Sequence, residues 1–193
     1  PFAIIGRKSL GVNKPKDLEG KILGAPAPDG AYAQWKSFVK ANKIDASKVK
    51  IENVGFPVRE PMLAAGKVHA ITGYSFSSYI NLASKGIPES DISLLLMSDY
   101  GLKLYGNAVI VNTDFAKKNP EQVKSFLAAT VKGMKEMIND PESTIPYVLK
   151  YNKIAKAKTE TTRLKMAIRD NIVTDKVKAD GIGSVDMSRL NDS

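Results

Sequence analysis

The sequence predicts an α/β fold in which strands and helices alternate and helices cover the sheet. First, the apolar strand Ile22–Ala25 leads into a Pro- and Gly-containing loop and then into a helix. Second, strand and helix alternate three times, at a spacing of roughly thirty residues. Third, residues 92–97 are dominated by apolar side chains, which is typical of a strand buried on both faces. Together these patterns favour a doubly wound sheet.

Local sequence patterns predict the first helices and strands, between residues 14 and 54. Residues 14–18 are expected to form a short helical turn, and a turn at Gly20 leads into the strand Ile22–Ala25. A helix follows, because aromatic residues recur at helical spacing and would pack on the sheet. Those residues are Tyr32, Trp35 and Phe38. Residues 48–54 alternate between apolar and polar side chains, so they predict a half-buried strand.

The next strands and helices follow the same logic. Gly and Pro in residues 55–57 are expected to end the strand, and a helix is expected to begin near Pro61, since proline is tolerated in a first helical turn. Residues 68–74 predict another strand. A helix over 77–84 should follow it and end at Gly86.

From residue 105 the pattern changes from alternation to helices. Residues 105–111 predict one more strand. A long helix is then expected to begin at Asn119-Pro120, with a second helix around Val148 and a third around Leu164.

Composition excludes several classes of protein. The chain has 193 residues, a net charge of +9 and no cysteine, so disulfide scaffolds and thiolate metal sites are excluded. Its lysines are spread singly and no arginine-rich block occurs, so solvated faces are expected and nucleic acid is not a predicted partner. Such lysines include Lys36, Lys40, Lys150, Lys153, Lys156 and Lys158.

The sequence contains few candidates for catalytic residues. The single histidine, His69, lies within an apolar strand and has no acidic neighbour, so a structural role is expected. Neither a nucleophile elbow nor a phosphate-binding glycine loop is present. We therefore predict no catalytic residue, no bound metal and no cofactor.

Three segments carry a resemblance to a known family. They are KDLEGKILGAP, AAGKVHAITGY (with His69 where an acidic residue is usual) and DYGLKLYGNAVIVNTDFAKKNPEQVKSFLAATVKGM. The chain resembles the solute-binding proteins of ABC importers, in the NMT1/THI5-like branch of sulfonate, nitrate, taurine and thiamine-pyrimidine binders.

The resemblance implies a periplasmic-binding-protein-like fold of type II, which has two lobes. One lobe, residues 15–104, is expected to be complete. Residues 1–14 would be a remnant of the first lobe and crossover, and residues 105–193 the crossover and helical return to a partial first lobe. The strands near Ile4 and Val109 would then belong to a first-lobe sheet. The edges of these strands and the apolar faces of the helices around Phe126 and Leu164 would then be exposed. That open surface implies either self-association or a poorly ordered tail after about Asn171.

The same resemblance implies a function. The expected protein is a receptor that binds a small polar organic molecule, either a sulfonate-like anion or a pyrimidine-like heterocycle, and closes two lobes around it. Its partner would be an ABC permease, and its location periplasmic or lipid-anchored outside the cytoplasm. The alternatives are a pyrimidine-forming enzyme on this scaffold and the ligand-sensing domain of a transcription regulator.

The candidate site lies where strands end, because ligands of open α/β sheets bind at the carboxyl ends of the strands. The candidate ligand-binding residues are Pro28, Asp29, Gly30, Ala31, Tyr32, Phe56, Arg59, Tyr74, Ser75 and Asn107.

Several of these residues have a second interpretation. Asp29 either contacts the ligand or caps the following helix, and capping is the commoner use. Arg59 either pairs with an anionic ligand or lies solvated on the surface. Tyr74 either lines the cleft or packs beside the hinge, and Tyr32 either faces the cleft or joins the core.

Overall fold

The computed structural model describes residues 1–191, which fall into two compact units. The first, here called the sheet unit, contains Pro1–Leu104 and the described residues from Ser188 on, which are 188–191. The second, the helical unit, contains Tyr105–Met187.

One five-stranded sheet organises the sheet unit. Its strands are β1 Phe2–Arg7, β2 Ile22–Ala25, β3 Lys50–Asn53, β4 Ala70–Tyr74 and β5 Ile92–Leu96. Their order across the sheet is β3-β2-β4-β1-β5. Strand β2 is parallel to β3 and β4, whereas β1 is antiparallel to β4 and β5. The sheet is therefore mixed, with four parallel strands and one reversed strand.

Four helices cover the two faces of the sheet, and later helices make up the helical unit. The four are α1 Gly30–Ala33, α2 Trp35–Ala41, α3 Phe56–Ala64 and α4 Ser75–Ser84. The later helices are α5 Thr113–Lys118, α6 Pro120–Asn139, α7 Pro141–Tyr151, α8 Ala157–Ala167, α9 Asp175–Asp180 and α10 Met187–Asn191. A π-helical turn, Ile168–Ile172, continues α8.

The position of β1 corrects the expectation that the strand near Ile4 belongs to another lobe. Ile4 is paired with Thr72 of β4 and with Leu95 of β5, inside the one sheet. Ala3 and Ile5 pack into the core on one face, and Ile4 packs into the core on the other. Because β1 is apolar on both faces, it fits a central position and not an edge.

Two further expectations about local structure are wrong. Residues 105–111 do not form a strand; Val109 and Ile110 are exposed, and no neighbouring strand in the described chain shares backbone hydrogen bonds with them. Helix α3 begins at Phe56 and not near Pro61. Gly55 is extended and ends the preceding segment, while Pro57 sits in the first helical turn, where its missing N–H costs little.

Two apolar cores hold the sheet unit together, one on each face of the sheet. Phe38 and Trp35 of α2 pack with Leu23 on one face, whereas Leu63 of α3 and Leu82 of α4 pack on the other. The prediction that the Trp35 and Phe38 stripe is core is confirmed. Burial on both faces fixes the helices that follow the strands, and thereby the loops between them.

The helical unit exposes more apolar surface. Phe126 on α6 is exposed, as expected for the apolar face of its helix, but Leu164 on α8 is only partly exposed. Within residues 1–191, no helix is both long and apolar enough to cross a bilayer.

Candidate functional site

The candidate site lies at one edge of the sheet. Strands β2, β3 and β4 are parallel, so their carboxyl ends reach the same edge, where each is followed by a helix. These helices, α1, α3 and α4, begin at Gly30, Phe56 and Ser75. Strand β1 starts at this edge, and its Phe2 is paired with Tyr74.

Aromatic rings line this edge. The rings of Phe2 and Tyr74 lie 5.6 Å apart, and those of Tyr74 and Phe76 lie 5.9 Å apart, both pairs tilted. They lie against the loop before α1, because a Cβ atom built on Gly30 would be 3.4 Å from Phe2 Cε1 and 3.6 Å from the Tyr74 hydroxyl. We call Phe2, Tyr74 and Phe76 the aromatic edge.

A buried network of polar side chains lies beside the aromatic edge. Asp29 accepts hydrogen bonds from the Ala31 backbone N–H, at 3.1 Å, and from the Thr72 hydroxyl, at 2.6 Å. Its Oδ2 atom also lies 3.5 Å from Nη1 of Arg59. Asp29 thus joins the loop after β2 to strand β4 and helix α3.

The rest of the network joins α3 to α4. Arg59 donates from Nη2 to Glu60 at 2.7 Å and to the Ser78 hydroxyl at 3.0 Å, and from Nε to Glu60 at 3.2 Å. Ser78 in turn donates to Glu60 at 2.8 Å. Burial raises the pKa of Glu60, but the hydrogen bonds and charge of Arg59, with the Ser78 hydroxyl, outweigh it and hold that pKa below its ordinary value. We call Asp29, Arg59, Glu60, Thr72 and Ser78 the buried network.

Asp29 and Arg59 both have interaction partners within the sheet unit. Asp29 caps α1, so its carboxylate occupies the Ala31 N–H that an anion would otherwise contact. Arg59 is buried, so the alternative of a solvated surface arginine is wrong. Its guanidinium lies 5.5 Å from the ring centroid of Phe56, which is 48% exposed. A cation under a ring face is favourable, so Arg59 helps to hold Phe56 at the surface.

The remaining candidate residues are divided between surface, core and the other unit. Gly30 is partly buried against the aromatic edge, Pro28 is exposed, Ala31 is buried, and Tyr32 is partly buried against the core. The Ser75 hydroxyl is enclosed and has no hydrogen-bond partner within residues 1–191. Asn107 is exposed and belongs to the helical unit.

Sequence reasoning missed five residues of this region. Phe2 joins Tyr74 only because β1 inserts beside β4, which no local pattern reveals. No sequence pattern marks Glu60, Thr72 and Ser78 as part of this region. Their hydrogen bonds within the buried network place them there. Phe76 had a usable signal, since it lies two residues after the strand-ending Tyr74.

His69 has the structural role that its sequence context predicts. Its Nδ1 atom accepts a hydrogen bond from the Ile22 N–H at 3.2 Å, and its backbone N–H donates to the Ile22 carbonyl at 2.9 Å. Burial, with a smaller effect from the charge of Lys21, lowers the pKa of His69 below its ordinary value. The neutral ring therefore links β2 to the segment before β4.

We expect this histidine to make stability depend on pH. With its pKa lowered in the folded state, His69 binds more protons when the chain is unfolded, so its contribution is complete above about pH 6.5 and is lost as the pH falls below that value. His69→Asn keeps an acceptor near the Nδ1 position but does not titrate. Urea unfolding of both proteins at pH 7.5 and 5.5 checks this: the wild type should lose more stability than the variant, and equal losses would contradict the assignment.

No group of three or more His, Asp or Glu side chains among residues 1–191 is arranged to hold a metal ion. The aromatic edge itself presents ring faces and the Tyr74 hydroxyl beside the Gly30 loop. Such groups suit the binding of an organic molecule.

Comparison with known proteins agrees with this architecture. The aliphatic sulfonate-binding protein SsuA of Escherichia coli superposes with a TM-score of 0.67 at 15% identity, covering 85% of this chain and 54% of that one. The alkanesulfonate-binding SsuA of Xanthomonas axonopodis pv. citri gives a TM-score of 0.62 at 17% identity, covering 84% and 54%. The chain thus has the mixed α/β architecture of periplasmic binding proteins, as predicted.

Sequence comparison finds relatives with other ligands in their names. The riboflavin-binding protein RibY of Chloroflexus aurantiacus is 22% identical over 152 residues, covering 78% of this chain and 42% of that protein. The formylaminopyrimidine-binding protein of Halalkalibacterium halodurans is 27% identical over 139 residues, covering 71% and 41%. The chain spans about two fifths of the length of these relatives. The sequence profile described as NMT1/THI5 like matches residues 1–144, and the chain therefore belongs to the NMT1/THI5-like family.

Proposed function

We propose that this protein is a solute-binding receptor of an ABC importer and that it binds a small organic molecule reversibly at the aromatic edge. The observation that carries the proposal is the meeting of Phe2, Tyr74 and Phe76 at the carboxyl ends of the parallel strands, against the Gly30 loop. Ligands of open α/β sheets bind at this edge. Family membership and relatives named as binding proteins support it.

The charges at this edge favour a neutral heteroaromatic ring over a sulfonate. Asp29 already occupies the Ala31 N–H, and the guanidinium of Arg59 is committed to Asp29, Glu60 and Ser78. The buried network holds two carboxylates and one guanidinium, so its net negative charge opposes an approaching anion. Aromatic side chains, by contrast, offer faces and edges on which a flat ring can stack.

The remaining parts of the proposal concern partners and place. The SsuA of Escherichia coli is named a periplasmic binding protein, which supports an extracytoplasmic location for this protein, in the periplasm or lipid-anchored. The sheet unit would act as one lobe, the helical unit would belong to the other, and closure of the two would shield the ligand from water. A membrane permease would then receive the ligand. Receptor action without turnover requires that the ligand leave unchanged.

Calorimetry on the 193-residue chain tests the ligand class. Formylaminopyrimidine and riboflavin serve as ring probes, and MOPS serves as the sulfonate probe. We expect at least one ring probe to bind and to be recovered chemically intact, with no binding of MOPS. Binding of MOPS in preference to both rings would overturn the ligand class, and conversion of a bound ring would overturn the receptor assignment.

Tyr74→Ala tests the site. It removes the ring that joins Phe2 to Phe76, so we expect the affinity for the bound ring probe to fall at least about tenfold, equivalent to ~1.4 kcal/mol. Tyr32→Ala should weaken binding less, because Tyr32 packs partly into the core. Tyr147→Ala, an exposed tyrosine of the helical unit, is the matched control and should bind like the wild type. Equal affinities of the Tyr74 variant and this control would refute the site.

A further inference from the structure

The helical unit carries a basic surface whose residues are not part of the proposed solute site. It comprises the end of α7, the segment that follows and the first turn of α8. Its most exposed apolar and aromatic side chains are Tyr147 (69%), Tyr151 (86%) and Ile154 (91%). The exposed lysines among them are Lys150, Lys153, Lys156 and Lys158. We call these seven residues the lysine–tyrosine surface.

The packing of α7 explains why these side chains point outward. Ile145 is buried and Leu149 is partly buried, so one side of α7 faces the neighbouring helices. Tyr147 and Tyr151 are four residues apart and share the opposite side of the helix. Lys150 is three residues after Tyr147, so it lies on that side as well.

The charge of the surface is uncompensated. No Asp or Glu occurs between Glu142 and Glu160, although four lysines do. In the described part of the chain these four lysines form no ion pair, whereas the nearby Lys165 is paired with Glu142 at 2.6 Å. The surface therefore presents four positive charges together with three protruding apolar groups.

We propose that the lysine–tyrosine surface binds the face of an anionic phospholipid bilayer. Tyrosine rings favour the bilayer interface, where the apolar ring and polar hydroxyl both find partners. Lysines beside an anionic bilayer each contribute about 1 kcal/mol, or roughly fivefold in partition. A protein partner fits less well, because lysine is depleted in protein–protein interfaces. The inference does not depend on which solute the protein binds.

Co-sedimentation of the 193-residue chain with vesicles tests the proposal. We expect binding to vesicles of phosphatidylcholine mixed with phosphatidylglycerol, weakening with added salt, and none to pure phosphatidylcholine. Replacing Lys150, Lys153, Lys156 and Lys158 by Gln should reduce partition at least about tenfold. The matched control replaces four exposed lysines elsewhere, Lys36, Lys40, Lys67 and Lys132, by Gln and lowers the net charge equally. That control should retain most of the binding.

A second variant tests the apolar part of the surface. Tyr151→Ser with Ile154→Ser should weaken partition without changing the net charge. Equal weakening by the two quadruple variants would reduce the effect to overall charge and overturn the proposal, as would absence of binding to anionic vesicles. The proposal would also be overturned if the wild type is a dimer in solution and the Tyr151 and Ile154 changes make it monomeric. The surface would then join two copies of the chain.

Discussion

Replacing Arg59 by Met is expected to lower the free energy of unfolding of the sheet unit by about 3–5 kcal/mol. The change removes the cation that lies between the buried carboxylates of Asp29 and Glu60. Methionine fills similar space, so the loss reflects uncompensated charge more than a cavity. Trp35 is the only tryptophan and lies in the core of this unit, so its fluorescence during urea unfolding measures the effect directly.

The pH dependence separates charge from packing. In the wild type the pKa of Glu60 is lowered, so the stability it contributes is present above its ordinary pKa and is lost as the pH falls through the lower folded value. In the variant, burial without the cation should raise the pKa of Glu60, because the lowering effect of Arg59 is lost. The variant should therefore gain stability relative to the wild type as the pH falls from 7 toward 4.

Two results would count against this account of Arg59. Lys36→Met, at an exposed position of α2 in the same unit, should change stability by less than about 0.5 kcal/mol. If both variants lose the same free energy of unfolding, the ion pairs of Arg59 in the buried network do not stabilise the unit. If the difference in free energy of unfolding between Arg59→Met and the wild type stays constant with pH, the loss comes from packing alone.

Gly73→Ala is expected to destabilise the same unit by about 1–3 kcal/mol. A Cβ atom at this position would lie 2.4 Å from the Ser78 hydroxyl and 3.3 Å from Arg59 Cζ. Neither neighbour can move freely, because both belong to the buried network. The methyl group therefore displaces hydrogen-bonded polar atoms beside the strand that ends at Tyr74.

A double variant shows whether the clash is the cause. Ser78→Ala removes the nearest atom, so Gly73→Ala should cost less in that background than in the wild type. Gly30→Ala is the control, because its Cβ would meet Phe2 and Tyr74 only at ordinary contact distances of 3.4 and 3.6 Å. Urea unfolding followed by Trp35 fluorescence measures the wild type, the two single variants, the double variant and the control. Strictly additive effects of the Gly73 and Ser78 changes would argue against the clash.

Local patterns predicted most elements of the sheet unit. Alternation identified the strand that became β3, and aromatic spacing identified α2 and its buried Trp35 and Phe38. These succeeded because periodicity reports which face of an element is buried. Residues 105–111 share the apolar composition of a strand, but composition supplies no partner to share backbone hydrogen bonds, so that prediction was wrong.

The site was predicted less completely, for a physical reason. The loops at the carboxyl ends of β2 and β4 could be located, because a parallel sheet brings such ends together. The contacts of Arg59 with Asp29 and Ser78 join residues from three separate helices and loops. Pairing of that kind depends on tertiary packing, which residue spacing does not encode.

The insertion of β1 has a consequence for the order in which the chain acquires structure. The parallel pairs of β2 with β3 and β4 can form from residues 22–74, but β1 must join both β4 and β5, and β5 ends only at Leu96. During synthesis, the segment Phe2–Arg7 reaches its partners in this sheet, β4 and β5, only after these later residues emerge. Closure of the sheet around β1 is thus a long-range step, and such steps slow folding. The interval before it is when this strand is most open to misassembly or to capture by a chaperone.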